Sequence, residues 1–218
     1  MTEKLKQSFS RYLEKGECVP RHFGEREREV ILEALLHIGR ELFAARGLSG
    51  VTIEELCRAA KIAKGSFYAF FPSKEALFLS ILKKDEASMR RDINPLMRDS
   101  TVHPGEQFKR IYAAQLAAME RYPILGIAAD PETYSLLARR LPPGSLDDAP
   151  DTAFVNALVK GWKERGFTCR YSVTQLLELS RALFFIHLHR TDGLAGDSLR
   201  ILLGLLGDSM IRRGPAHA

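Results

Sequence analysis

Five consecutive residues, Lys64-Gly65-Ser66-Phe67-Tyr68, put an ammonium, a position without a side chain, a hydroxyl and a phenol at the start of one short helix. Ammonium, hydroxyl and phenol groups donate to phosphate oxygens, and the first two also reach acceptors on base edges. Gly65 allows a close approach to DNA. These groups suit recognition of a polyanion. Bond-making chemistry has no comparable support. His187 and His189 are two apart and face different sides of a helix, while His22, His37, His103 and His217 have no Cys or carboxylate at ligand spacing. No nucleophile elbow, Walker loop or dinucleotide fingerprint occurs. No catalytic residue, metal or cofactor is therefore expected.

The elements that position these groups are helical. Ile31, Leu35, Ile38 and Leu42 recur on one helix face, and Gly47 closes that helix. Thr52-Ile53-Glu54-Glu55 is a capping box, in which hydroxyl and carboxylate satisfy each other's backbone N–H. It opens a helix ending near Ala60. Lys61-Ile62-Ala63 is a turn, the second short helix runs from Lys64 to Phe70, and Pro72 breaks it. Ser73 caps a long helix carrying Leu77, Ile81 and Lys84, expected to end near Asn94-Pro95 because residues before proline leave the α region. Two short helices joined by a tight turn have helix-turn-helix spacing, with the second helix in the major groove. Phe67 and Phe71 point back into a small core with Leu42, Phe43 and Leu56. The same geometry occurs in all-α proteins that never meet DNA, so spacing alone leaves both readings open.

The remaining punctuation is equally regular. Pro104 suits a first helical turn, Pro123 opens a short segment, and Asp130-Pro131 reads as N-cap and N1. A loop runs from Leu141 to Pro150, and Asp151 to Arg165 is a helix closed by Gly166. Ser172-x-x-Gln175 is a second capping box, opening a helix to about Arg190. Thr191-Asp192-Gly193 turns the chain into a last helix from about Ala195 to Arg213. No period-two strand pattern is visible, so the fold class is all-α.

The last two helices are apolar on most sides and require burial on most sides. Leu176, Leu183, Leu199, Leu203, Gly204, Leu206 and Gly207 are the expected homodimer interface, the glycines permitting close helix approach. The alternative is a large monomer core. A two-fold dimer would present two recognition helices to successive major grooves, about 34–36 Å or a multiple apart, and so read a near-palindrome. The middle helices are expected to enclose a site for a small apolar or aromatic ligand, lined by Phe108, Tyr112, Gln115, Met119, Tyr134, Phe154, Leu158, Trp162 and Phe184. Apolar residues at this spacing also serve as plain core.

Composition bounds these readings. The 218 residues are 45% hydrophobic and 27% charged, ordinary for a globular protein. Runs without charge, such as 111–119 and 122–129, fall well short of the roughly 18 residues a membrane span needs. The first residues lack an apolar signal region. Cys18, Cys57 and Cys169 are widely spaced, which fits the cytoplasm better than a disulfide framework. The net charge is +5, with +2 in the first 80 residues and +3 after them, so bulk charge does not locate a nucleic-acid surface.

The wording of the segment goes further than its geometry. Ile31 to Leu82 resembles the DNA-binding domain of the TetR family of transcriptional regulators. The matching words are Ile31-Leu32-Glu33-Ala34, Leu42-Phe43-Ala44-Ala45-Arg46-Gly47, Val51-Thr52-Ile53-Glu54-Glu55-Leu56 and the run Ala63 to Leu77. The remainder is similar in architecture only. The resemblance implies that Thr52, Tyr68 and Lys74 contact phosphate and that Lys64, Gly65 and Ser66 sit where bases or adjacent phosphates are read. It implies a double-stranded operator, a homodimer and a small-molecule effector as partners, with no membrane. Two positions depart from the pattern: Lys61 stands where glycine is usual, and Ala69 where a bulkier side chain is common. Cys57 replaces a usual alanine and reads as a small packing residue.

The expected organisation is an N-terminal extension over 1–24, a helix-turn-helix domain over 25–80 and a helical ligand-binding and dimerisation domain over 81–218. In the extension, Phe9, Tyr12 and Leu13 form an amphipathic turn and Lys4, Lys6 and Arg11 trail along phosphate, or the segment is a solvated tail. The expected function is a DNA-binding repressor released by ligand. The alternatives are an all-α carrier or enzyme with an incidental helix-turn-helix, and a ligand-independent regulator or an activator.

Overall fold

The computed structural model describes residues 24–146, 149–188 and 195–213. The readings made for the N-terminal extension, Cys18, His22, His189, the turn at Thr191-Asp192-Gly193 and His217 lie outside these residues. The chain divides into two units, one ending at Lys84 and the other beginning at Asp85.

The first unit holds α1 (Glu25–Arg46), α2 (Ile53–Ala59), α3 (Lys64–Tyr68) and the start of α4 (Lys74–Arg98). The buried stripe of α1 is Leu35, Leu36, Gly39 and Phe43, while Ile31, Ile38 and Leu42 are only half-buried. The stripe is rotated because α4 crosses at Gly39, where a Cβ would lie 2.9 Å from Ile81 Cδ1 and 3.1 Å from a Leu77 methyl. Phe43 meets Phe78 edge-on at 5.3 Å, and Leu56, Phe67 and Phe71 complete the core. Gly47 ends α1 with φ 69° and donates its N–H to Phe43 O, as a glycine C-cap does.

The second unit holds the rest of α4, then α5 (Pro104–Arg121), α6 (Pro123–Ala129), α7 (Pro131–Arg140), α8 (Ala149–Glu164), α9 (Val173–Leu188) and α10 (Ala195–Ser209). Proline stands in the first turn of α5, α6 and α7, where its missing N–H costs nothing. The Asp130 carboxylate accepts from Thr133 N–H at 2.9 Å, and Ser172 with Gln175 forms the second capping box. Two expectations need correction. A short antiparallel ladder joins β1 (Phe167–Cys169) to β2 (Ile211–Arg213), so residues 211–213 are strand rather than helix. Strands of three residues are too short to show alternation. Helix α4 also runs through Pro95 to Arg98.

The last turn of α4 is met by Gln107, which is 3% exposed. Its amide donates to Leu96 O and Met97 O, both at 2.9 Å, meeting two carbonyls in the last turn of α4. Its oxygen accepts from Trp162 Nε1 at 2.8 Å and from Arg165 at 3.2 Å. One amide thus joins α4, α5 and α8 with its hydrogen-bonding groups engaged. Around it Ile93, Phe108, Ile111, Trp162, Leu176 and Leu203 belong to one apolar core. Helices α5 and α10 touch backbone to backbone, since a Cβ on Gly105 would lie 2.1 Å from Gly207 O. Replacing Gln107 by Leu strands an indole N–H and two carbonyls, a loss on the order of 3 kcal/mol. Denaturant unfolding of Gln107→Leu should show it, and a midpoint equal to the parent's would refute the hub.

Candidate nucleic-acid interface

Thr52 begins the site. Its hydroxyl accepts the Glu55 N–H at 3.3 Å, and the Glu55 carboxylate accepts both the Thr52 N–H and the Thr52 hydroxyl at 2.8 Å. Arg46 at the end of α1 donates to the other Glu55 oxygen at 2.7 Å. Arg46 foremost, then the Thr52 donors, hold the Glu55 carboxyl down from 4.5 to about 2. The hydroxyl proton of Thr52, expected on phosphate, is thus directed at Glu55.

The start of α3 lies beside the start of α2, where Lys64 Nζ forms an ion pair with Glu54. That hydrogen bond raises the Lys64 pKa and lowers that of Glu54. Gly65 is exposed, and a Cβ there would meet nothing within 4 Å. Ser66 is half-buried and Tyr68 is 45% exposed, its ring edge-on to buried Phe67 at 5.7 Å. Lys64, Gly65, Ser66 and Tyr68 therefore share one short helix anchored by Phe67. The Lys74 ammonium donates to Leu48 O at 2.9 Å and Val51 O at 2.7 Å.

Lys61 has φ 55°, the left-handed conformation that its place in the turn requires, and is the one non-glycine with positive φ among the described residues. Cys57 is buried, and burial pushes its thiol pKa up, in keeping with a packing role. Sequence reading missed the Lys64–Glu54 and Arg46–Glu55 pairs and Arg28 stacked 5.1 Å over the Phe70 ring. All three join separate elements, and no local motif announces them.

The expected ligand residues are spread through the second unit. Phe108, Tyr112, Leu158 and Trp162 are core, Phe154 and Phe184 pack against it, Gln115 and Met119 are half-buried, and Tyr134 is 54% exposed. Tyr112 lies against Phe184 at 5.1 Å between ring centroids, and its buried hydroxyl has no hydrogen-bond partner among the described residues. Burial raises its pKa. A groove of about 470 Å³ lies elsewhere, between Lys109, Leu116 and Glu120 of α5 and Leu199 and Leu203 of α10. Leu176, Leu183, Leu199 and Leu203 are buried in the chain's own core, and Gly207 is used against α5. Gly204 and Leu206 are half-buried, and the exposed apolar stripe is Phe185, Ile186, Ile201, Leu202 and Leu205. Among the described residues no group of His, Cys, Asp and Glu could hold a metal, and no helix is long and apolar enough to cross a membrane.

Residues 35–81 match the family model for bacterial regulatory proteins, tetR family. The chain is 30% identical over 93 residues to the HTH-type transcriptional repressor DhaR of Mycobacterium sp. (strain GP1), covering 43% of this chain and 47% of that protein. It is 36% identical over 66 residues to the HTH-type transcriptional repressor NemR of Escherichia coli (strain K12), covering 30% and 33%. The chain thus spans about half or less of the length of these curated relatives. In fold it is similar to a TetR-family transcriptional regulator from Pectobacterium atrosepticum, with a TM-score of 0.61 at 19% identity, covering 84% of this chain and 94% of that one.

Two measurements check this geometry. Glu55 titrates below its ordinary value when folded, so its contribution is present above pH 4.5 and is lost as pH falls toward 2. Glu55→Gln should flatten that limb of the melting-temperature profile, and an unchanged limb would refute the pairing. Lys61→Gly should raise stability by up to about 1 kcal/mol, since a left-handed residue costs about 1–2 kcal/mol and glycine adds back some chain entropy. A loss of stability in denaturant melts would count against the turn.

Proposed function

We propose that this chain, which belongs to the TetR family of bacterial regulatory proteins through its residues 35–81, is a cytoplasmic transcriptional repressor that binds a near-palindromic DNA operator as a homodimer. The observation that carries the reading is the helix-turn-helix: α2 capped by Thr52, the turn at Lys61, and α3 presenting Lys64, Gly65, Ser66 and Tyr68 on the buried anchor Phe67. Lys64 and Tyr68 supply donors for phosphate, Ser66 a hydroxyl, and Gly65 the space for a backbone to approach a groove. Thr52 fixes the start of α2 beside them. The relatives that carry the word repressor in their names support the direction of control.

Dimerisation uses the exposed stripe on α9 and α10, with Ile201, Leu202 and Leu205 meeting the same residues of a second copy across a two-fold axis. Nothing lies within 4 Å of a Cβ at Gly204, which leaves room for a partner helix. A small apolar or aromatic effector binds the second unit and releases DNA by favouring a conformation whose recognition helices no longer match the grooves. That coupling requires different effector affinities in the two states.

Selection from a random duplex library should return a two-fold-related sequence bound with a steep salt dependence. Recovery of no sequence would replace this reading with that of an all-α carrier. On the selected duplex, Lys64→Ala and Tyr68→Phe should each lose on the order of tenfold in affinity, as for hydrogen bonds to a charged group. Leu205→Glu should reduce the sedimentation mass to that of one chain and abolish tight binding. A Leu205→Glu protein that remained dimeric would remove the stripe from the interface.

A further inference from the structure

We infer that Glu54 is a specificity-determining residue of the helix-turn-helix, an inference that rests on the DNA-binding reading above and sharpens the part of Lys64 in it. Glu54 withholds Lys64 from isolated phosphates and forms with it a donor–acceptor pair for the edge of a base pair. Lys64 is the one charged side chain of α3. Its ammonium pairs with the Glu54 carboxylate in the first turn of α2. The neighbouring Glu55 carboxylate is already held by Arg46 and Thr52. Glu54 therefore neutralises the recognition helix. Tyr68 stands four residues after Lys64 on the same face of α3, so the carboxylate beside the ammonium borders the surface offered to DNA.

Breaking this pair costs little in itself, because both side chains are more than half exposed to solvent. The penalty arises from where the carboxylate is left. An ammonium that moves to a phosphate leaves a bare carboxylate in front of a polyanion, with no donor in exchange. The carboxylate stays there because the start of a helix favours an anion. A base-pair edge satisfies both groups. In the major groove a G·C pair sets two guanine acceptors, O6 and N7, beside the amino group of cytosine. The ammonium donates to guanine and the carboxylate accepts from cytosine. Every duplex carries phosphates at every step, but only some sequences place that edge before Lys64 and Glu54. A cation that any duplex would attract becomes one that a particular sequence releases.

Full-length parent, Glu54→Gln and Glu41→Gln are compared, the last removing an exposed carboxylate from α1 instead. Affinity is measured at several salt concentrations for the selected duplex and for a random duplex of equal length, and the selection is repeated with each variant. Glu54→Gln frees Lys64 for phosphate. Its affinity for the random duplex should rise several-fold, with a salt slope steeper by about 0.9 per subunit. Its ratio of selected to random affinity should fall about tenfold. Reselection should lose the preference for a G·C pair at one position of each half-site. Glu41→Gln should keep the parent's ratio, because a distant charge acts on both duplexes alike. Thermal unfolding should place both variants close to the parent, so that the ratios compare folded proteins. A Glu54→Gln protein with the parent's ratio and the parent's selected sequence overturns the inference, as does a Glu41→Gln protein whose ratio falls as far. If the parent selects no duplex, the DNA-binding reading falls and takes this role of Glu54 with it.

Discussion

The placement of α2 is the constraint on which the first unit depends. A helix of seven residues has little stability of its own, because nucleation is costly and few bonds repay it. Its start is fixed instead by contacts from three directions: the reciprocal Thr52–Glu55 cap, Arg46 on Glu55 from the end of α1, and Lys74 on the carbonyls just ahead of the cap. Its inner face is held by Leu56 and Cys57. With the start and one face fixed, the direction of α2 is determined, and α3 leaves the turn at a set angle. The five residues of α3 inherit a rigidity they could not generate themselves.

The surface of α3 is then economical. Lys64 is paired with Glu54, and both side chains are more than half exposed. Exposed ion pairs are screened by solvent and contribute little, so Lys64 can exchange this carboxylate for another anion at small cost. Glu54 also keeps the ammonium at the leading end of α3 before any polyanion arrives. A net charge of only +5 is consistent with the proposed site, in which a few placed donors would replace a broad basic surface. The second unit follows the opposite logic. Its polar hub at Gln107 is buried with its partners, and its apolar excess lies outside on α9 and α10. An exposed stripe holding Phe185 at 51% and Leu205 at 64% is the kind of surface a second subunit covers.

What was legible in the sequence was local. The boxes at Thr52 and Ser172, the proline starts of α5 to α7 and the closing Gly47 and Gly166 each depend on residues within one turn, and each is found. What was not legible depended on distant residues. The inward face of α1 is decided by Gly39 meeting Leu77 and Ile81, and that of α10 by Gly207 meeting Gly105. A helix apolar on most sides gives no periodic signal for which side the chain itself buries, so the stripe containing Leu199 and Leu203 and the one containing Ile201 and Leu205 were equally eligible. Pro95 was read as a stop from its local restriction on the preceding residue, while the last α4 turn beyond it is met by a glutamine on another helix. The carbonyl bonds of Lys74 were hidden for the same reason: its two acceptors lie on a connection more than twenty residues away.

Lys61 shows how firmly the turn itself is set. A lysine with φ 55° carries a steric penalty of about 1–2 kcal/mol that glycine would avoid. The conformation persists because the flanking backbone demands it. Ala60 N–H reaches Leu56 O at 2.9 Å, Lys61 N–H reaches Arg58 O at 3.2 Å, and Ile62 N–H reaches Cys57 O at 3.0 Å, closing α2 before the chain turns into α3. Residues 66 and 67 both donate to Ala63 O, which starts the next helix at once. With α2 anchored at its start and Phe67 buried beyond the turn, no relaxed path connects the two ends, and the strain falls on the one residue between them. The turn residue tolerates the helix-turn-helix geometry; the packed helices on either side impose it.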